Sequence, residues 1–185
     1  MFTINPSTGI LKPTTPASVA TGWSPLSVTV HPSGKFAYAA NQDDDTVSMY
    51  SINAATGVLT PLTPATAPTG SSPFDVTVDP SGKFAYVPNA YDPNNAVSQY
   101  TIDSVTGVLT PNTPNAVTSG NQPTAAAVDP SGKFAYVVNR LDNTVSMFTI
   151  SAANGTLTLV ATVATGFEPF RIAIDPLWPF RLRAK

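Results

Sequence analysis

The heptapeptide PSGKFAY occurs three times without change, so the chain is a repeat protein. The copies occupy residues 32–38, 80–86 and 130–136, and a degenerate fourth copy begins at Asp175-Pro176. Their starts are 48, 50 and 46 residues apart. A second marker, a Thr-Gly or Asn-Gly pair, recurs with nearly the same spacing at Gly9, Gly57, Gly107 and Gly155. A fixed period of this length indicates stacked supersecondary units rather than one irregular fold.

Each repeat predicts four short β-strands. The first strand alternates apolar and polar residues, and the second begins inside the heptapeptide. An Asp-Pro-Ser-Gly sequence between them is typical of a type I turn. The third strand is rich in Val, Thr, Ser and aromatic residues, and a glycine-ended loop follows it. In the first full repeat the four predicted strands are residues 25–30, 36–40, 46–52 and 58–61, and a long Pro/Thr connection, 62–72, follows.

Three tight hairpins and one long return describe the blade of a β-propeller. The predicted fold class is therefore all-β, a β-propeller of four-stranded antiparallel blades, with about four blades' worth of chain in one domain, 1–185. The predicted division is a partial blade 1–22, blades 23–70, 71–120 and 121–166, and a partial blade 167–185.

Two arrangements of the partial blades remain open. Residues 1–4 align with 147–150, so the chain starts inside a third strand, and it ends inside a second strand where only Pro176 and Phe180 keep the repeat register. The chain is either a partial propeller or, if the two terminal pairs of strands share a blade, a closed four-bladed ring. In the open arrangement, self-association through the unpaired blade edges is expected.

Composition excludes several kinds of site. The chain has no cysteine and a single histidine, His31, which excludes thiolate metal sites, c-type haem attachment and multi-histidine metal centres. Charged residues make up 11% and the net charge is −2, so there is no basic surface for nucleic acid. No apolar run is long enough for a membrane span. We expect no cofactor and no metal.

The repeat carries a resemblance to a known family. DPSGKFAYVVN at residues 129–139, together with the G-x-x-P segment before the first strand, resembles the YVTN repeat of the lactonase-like seven-bladed propellers. The resemblance covers all but the last nine residues. It implies a seven-bladed fold and, as an activity, hydrolysis of sugar lactones of the 6-phosphogluconolactonase kind. The chain also departs from the family pattern, because the histidine beside the proline that opens a first strand is missing at the four matching positions, Leu26, Phe74, Thr124 and Phe170.

Candidate binding residues lie at positions that differ from one copy of the repeat to the next, while the apolar pattern around them stays the same. One such position near the start of the first strand holds Ser27, Asp75, Ala125 and Arg171. With their neighbours, these positions predict a ligand site over the central channel, for which the candidates are Asp75, Gln122, Glu168 and Arg171. The alternative is that Asp75 and Arg171 are merely paired or solvated. The resemblance places the family's acidic and arginine groups only loosely, at Glu168 and Arg171.

Other conspicuous residues have structural interpretations. His31 fills the first position of a turn that is Asp in the other copies, and we expect it to cap that turn. The run Asp43-Asp44-Asp45 is expected to be a solvated loop rather than a calcium site. The repeated Phe and Tyr of the heptapeptide are expected to pack between blades. Asn41, Asn89 and Asn139 are expected to bond their own backbone in the following turn.

Two functions follow from these observations. The first is a binding or surface-interaction scaffold without catalysis, whose channel face takes a small molecule, a glycan or a protein. The second is a sugar-lactone hydrolase whose active site is incomplete in this chain, in which Arg171, Glu168 and Asp75 take part. The weakly charged, cysteine-free, Thr- and Pro-rich composition favours a secreted, periplasmic or cell-surface location over the cytoplasm.

Overall fold

The computed structural model describes residues 1–175 and the backbone of residues 182–184. This part of the chain forms five antiparallel sheets, three of four strands and two of two strands, with one 3-10 turn at Gln42–Asp44. None of its residues belongs to a helix long and apolar enough to cross a bilayer. The predicted all-β fold with four-stranded antiparallel blades is confirmed.

The five sheets follow one another along the chain. The N-terminal hairpin is formed by β1 (Phe2–Ile4) and β2 (Leu11–Pro13). Blade I contains β3 (Pro25–Val30), β4 (Phe36–Asn41), β5 (Thr46–Ile52) and β6 (Leu59–Pro68). Blade II contains β7 (Thr77–Val78), β8 (Phe84–Pro88), β9 (Ala96–Ile102) and β10 (Leu109–Thr118). Blade III contains β11 (Pro123–Val128), β12 (Phe134–Asn139), β13 (Thr144–Ile150) and β14 (Leu157–Ala164), and the C-terminal hairpin is formed by β15 (Ile172–Ile174) and β16 (Leu182–Ala184).

The fourth strands are longer than the sequence predicts. In blade I, β6 pairs with β5 at Leu59–Pro61, leaves the ladder, and pairs again at Thr66–Pro68. Most of the predicted Pro/Thr connection is therefore the second half of a bulged strand. Proline donates no backbone hydrogen bond, so Pro61 and Pro64 interrupt the ladder without ending the strand.

The first strands carry an irregularity at the end where they begin. In β3 the register shifts between Pro25 and Ser27, and in β11 between Pro123 and Ala125. In blade II the first strand is reduced to β7 and an isolated bridge between Pro73 and Asn89. A β-bulge changes the direction in which nearby side chains point. The register shifts of the first strands lie beside the predicted ligand-binding positions.

The blades pack face to face through the repeated aromatic residues. Phe36, Tyr38 and Met49 of blade I form one buried cluster with Tyr100 and Leu109 of blade II. Phe84 and Tyr86 of blade II form the next cluster with Phe148 and Leu157 of blade III. The Tyr38 phenol donates a 2.8 Å hydrogen bond to the Gly107 carbonyl, and Tyr86 donates an equal one to Gly155. The expectation that these aromatics pack between blades is confirmed for the first two copies of the heptapeptide, whereas Phe134 of the third copy is 43% exposed.

The two terminal hairpins form separate sheets and do not share a blade. In agreement, the face of β3 that would meet a preceding blade is open: Val28 is 67% exposed, whereas the equivalent Val76 in blade II is 1% exposed. The chain is therefore a partial propeller, and the closed four-bladed ring is not formed. Pro176 and Phe180 lie outside the described residues.

His31 caps its turn as expected and also joins two blades. The Ser33 N–H donates to Nδ1 at 3.1 Å, and Nε2 lies 2.8 Å from the carbonyl oxygen of Gly82 in blade II. Because a carbonyl only accepts, Nε2 carries the proton and Nδ1 is the acceptor.

The expectation for the repeated asparagines is wrong for two of the three. Asn41 accepts hydrogen bonds from Thr21 and from the N–H of Gly22, and it donates to side chains of the third strand. Asn139 does the same in blade III. Each side chain thus ties the entry of its blade to the third strand, a contact between residues distant in sequence. Only Asn89 bonds the backbone that follows it, at the Ala96 carbonyl.

Candidate functional site

The start of the first strands brings two ion pairs close together. The first joins Asp75 of blade II to Arg171, which precedes β15, with 3.7 Å between Oδ1 and Nη1. The side chain of Asp75 is 18% exposed and that of Arg171 is 51% exposed. Ala125 holds the equivalent position in the intervening blade III, and because its side chain is short, the arginine reaches across to the carboxylate.

The environment of Asp75 changes its acidity. Burial raises the pKa of this carboxyl, and the Arg171 guanidinium and the N–H groups of Val76 and Ala126 offset the increase only in part. The hydroxyl of Ser27 lies near the Asp75 carboxyl and also lowers its pKa. This buried hydroxyl has no well-formed hydrogen bond to any described residue. Asp75 is therefore a partly buried carboxylate that is more basic than usual and faces a cation.

The second ion pair joins Glu168 to Arg140 at 2.9 Å. Arg140 also donates to the Gln122 side-chain oxygen, at 3.5 Å, and its backbone N–H donates to the Gln122 carbonyl, at 3.0 Å. Arg140 is missing from the residues predicted from sequence. It follows Asn139 at a position held by Gln42 and Ala90 in the other copies, so the same argument from variable positions would have identified it.

The ring of Phe170 joins the two pairs. The guanidinium carbons of Arg140 and Arg171 lie 5.8 and 5.7 Å from its centroid, within the range of a cation–π contact. The ring of Phe74 meets Phe170 edge-on at 6.0 Å. The structure thus brings Asp75 and Arg171 together directly, and Gln122 and Glu168 together through Arg140.

Backbone contacts between blades hold the site residues in place. Gln122 and Glu168, like Ser24 and Ser72 at the equivalent positions, have left-handed backbone conformations with φ of 46–56°. The N–H of Glu168 donates to the Asn143 side chain of the preceding blade at 2.7 Å. Because such a conformation is costly outside glycine, the contact from the neighbouring blade compensates for it.

The acidic run of blade I is exposed to solvent, as expected, and its side chains also belong to this framework. Asp43 accepts the hydroxyl hydrogen bond of Ser24, Asp44 accepts the N–H of Trp23, and Asp45 accepts the N–H of Ser72 in the next blade. The three carboxylates therefore serve different partners. Among the described residues, no group of three or more metal-ligating side chains comes together.

This arrangement combines three kinds of group that ester or lactone chemistry can use. A carboxylate with a raised pKa is suited to accept a proton from water. Two guanidinium groups nearby favour an anionic ligand or a developing oxyanion. The aromatic ring between them offers an apolar surface to the ligand.

Comparison with known proteins agrees with the fold. The family model for the lactonase, 7-bladed β-propeller, matches residues 1–72 and 110–177. A candidate 6-phosphogluconolactonase from Bacteroides fragilis superposes with a TM-score of 0.81 at 26% identity, over 92% of this chain and 49% of that one. A periplasmic gluconolactonase from Pseudomonas aeruginosa superposes with a TM-score of 0.76 at 20% identity, over 94% of this chain and 46% of that one.

The chain therefore spans about half the length of these two structures. No curated protein sequence matches it. The matched residues exceed half of the 185, and every blade found in the structure lies wholly or partly within them. The chain belongs to the lactonase family of seven-bladed β-propellers.

Proposed function

We propose that this chain contributes the water-activating and anion-binding groups of a sugar-lactone hydrolase. The observation that carries the proposal is the pairing of Asp75 with Arg171 beside a second arginine, Arg140, at the start of the first strands. Family membership and the Bacteroides structure support hydrolysis over a scaffold without catalysis.

In the proposed reaction Asp75 accepts a proton from a water molecule as that water attacks the lactone carbonyl carbon. Arg171, whose guanidinium is half exposed, stabilises the negative charge that develops on the carbonyl oxygen. The bond between the carbonyl carbon and the ring oxygen then breaks, and the proton held by Asp75 passes to the leaving oxygen. The product is the open-chain hydroxy acid, so one lactone and one water are consumed.

Arg140 has a separate role in the proposal. Its ion pair with Glu168 and its contact with Gln122 hold the guanidinium beside Phe170. There it adds positive potential for an anionic substituent of the substrate, such as a phosphate. The second candidate function, a binding scaffold, uses the same two guanidinium groups to hold such an anion without turnover.

The test is hydrolysis of 6-phosphogluconolactone and gluconolactone by the purified chain, measured above the spontaneous rate. We expect Asp75→Asn to lower kcat by about 10²–10⁴-fold, the usual contribution of a general base. Arg171→Gln should lower kcat and weaken binding. A matched control is Asp103→Asn, because Asp103 lies in a hairpin loop away from the first strands and should leave turnover unchanged.

The scaffold function makes a different prediction. If the chain binds 6-phosphogluconate by calorimetry, but its hydrolysis rate equals the background and does not respond to Asp75→Asn, the lactonase proposal is wrong and the scaffold is supported.

We further propose a location outside the cytoplasm. The weakly charged, Thr- and Pro-rich composition supports it, and the periplasmic location of the Pseudomonas protein is compatible with it. Fractionation of the source cells, followed by immunodetection of the native protein, tests this location; recovery with cytoplasmic markers would contradict it.

A further inference from the structure

Blade II departs from the repeat at several positions that meet around one cavity. The cavity has a volume of about 460 Å³ and lies between the end of β6 and the outer strands of blade II. Its volume is in the range of small-molecule sites. It lies apart from the ion pairs at the start of the first strands, and none of their four charged residues lines it.

Two threonines of the repeat are replaced by alanine where the cavity opens. Ala96 occupies the position of Thr46 and Thr144 at the start of the third strand. Ala116 lies opposite Ser98 in the ladder, where blades I and III place Thr66 and Thr162 opposite Ser48 and Ser146. The missing hydroxyl and methyl groups leave space in blade II.

A two-residue insertion adds polar groups to the same cavity. Residues 89–95 replace the shorter 41–45 and 139–143, and Asp92 and Asn94 of the insertion line the cavity. In blades I and III, Asp44 and Asp142 use one carboxylate oxygen to hold a backbone N–H at 2.7 Å. The side chain of Asp92 instead accepts only the N–H of Asn94 among the hydrogen bonds of the described residues.

Buried hydrogen-bonding capacity is also left unused beside the cavity. The Ser98 hydroxyl, which lines it, accepts from Asn89 and from the Gly70 N–H, and the Tyr100 phenol is its other polar neighbour. The Asn89 side-chain oxygen is fully buried and has no partner in that part of the chain. Unmade hydrogen bonds of this kind are costly, and a ligand that supplies partners recovers the cost.

We propose that this cavity binds a neutral carbohydrate. Its lining combines hydroxyl and amide groups with the surfaces of Tyr100 and Val117, and Asp92 is the only charged residue among the described residues that line it. The hydroxyl groups of a sugar can donate hydrogen bonds to, and accept them from, the hydroxyl and amide groups of the lining. The apolar faces of the sugar ring can pack against the apolar side chains. An anionic ligand is disfavoured, because the described lining of the cavity contains a carboxylate and no cation.

The test is titration of the isotope-labelled full chain with methyl β-D-glucopyranoside, methyl β-D-galactopyranoside and methyl α-D-mannopyranoside. We expect saturable shifts of the amide signals of Gly70, Ser98 and Thr118 with at least one of the three. Sodium gluconate should produce no such shifts.

The decisive variant is Ala96→Thr with Ala116→Thr, which restores residues that blades I and III already accommodate. Filling the cavity should weaken glycoside binding at least tenfold with little change in thermal stability. The matched control, Thr144→Ala with Thr162→Ala, changes the same two positions in blade III and should leave the titration unaltered.

A second variant protects the test against misfolding of the first. Asn115 lines the cavity and is exposed, so Asn115→Ala should weaken binding without affecting the fold. No saturable shift with any of the three glycosides up to about 100 mM, or unchanged binding in both cavity variants, overturns the proposal. Because none of these measurements uses lactone turnover, they are independent of the proposed catalytic function.

Discussion

The ring of Phe36 in blade I stands directly over Gly107 of blade II. A β-carbon on Gly107 would lie 2.3 Å from the Cδ1 atom of that ring, and Phe84 stands over Gly155 in the same way between blades II and III. The recurring glycine of the repeat thus has two functions. It takes the left-handed conformation of the hairpin loop, and it accepts the aromatic ring of the preceding blade.

Alanine substitution separates these two functions. Gly57 has the same conformation as Gly107, with φ of 69° against 75°, but no atom lies within 4 Å of its added β-carbon. We expect Gly57→Ala to cost about 1 kcal/mol of unfolding free energy from backbone strain. Gly107→Ala should cost a further 1–3 kcal/mol, approximately, because the Phe36 ring must move. Chemical denaturation of both variants measures the difference, and equal costs would show that the close packing between blades adds nothing.

The buried asparagines provide a second matched pair. Among the described residues, Asn139 makes four side-chain hydrogen bonds, whereas Asn89 makes two and its side-chain oxygen has no partner. Asn139→Ala should therefore destabilise the chain by at least about 1 kcal/mol more than Asn89→Ala, since it leaves more buried groups without partners. Thermal denaturation followed by circular dichroism compares the two. A larger loss from Asn89→Ala would contradict this hydrogen-bond assignment.

The raised pKa of Asp75 predicts how stability depends on pH. A carboxyl with a pKa above its ordinary 3.8 holds its proton longer in the folded state than in the unfolded state. Its contribution to stability therefore falls as the pH rises through the interval between the two values, and it is constant above that interval. We expect the unfolding free energy of Asp75→Asn, relative to the unmodified chain, to increase over this interval and then level off.

Arg171→Gln is the control for this measurement. It removes the cation that partly offsets the effect of burial, so the pKa of Asp75 should rise further and the interval should widen towards higher pH. Denaturation curves recorded from pH 3 upward in small steps would show both effects. A difference between Asp75→Asn and the unmodified chain that decreases with pH would mean that Arg171, rather than burial, dominates the carboxyl.

The open face of blade I predicts association of the purified chain. Leu26, Val28 and Val30 form an exposed apolar row on β3, whereas the equivalent row in blade II packs against its neighbour. We expect the mass measured by light scattering to increase with concentration above that of one chain. Val28→Lys with Val30→Lys should reduce the association and leave the circular dichroism spectrum unchanged. A constant mass of 19.3 kDa at all concentrations would rule out association through this face.

Much of the fold follows from local sequence. The repeated heptapeptide, the Asp-Pro-Ser-Gly turn and the alternation of the first strands predict the blades, because each depends on residues adjacent in the chain. The fourth strand was predicted too short, since the ladder resumes after the prolines through pairing with a strand already in place. The expectation is wrong for Asn41 and Asn139 because their partners lie about twenty residues earlier, a separation that local sequence propensity does not reveal.

The sequence by itself determined the family, the period, the blade architecture and the variable positions where Asp75 and Arg171 lie. Only the tertiary structure decided that these two residues pair across blade III, that Arg140 and Phe170 complete the cluster, and that the terminal hairpins remain in separate sheets. It also showed that the alanines and the insertion of blade II surround one cavity. The physical reason is that strand formation and turns are specified by neighbouring residues, whereas charge pairing, burial and cavities depend on distances between blades that no single repeat contains.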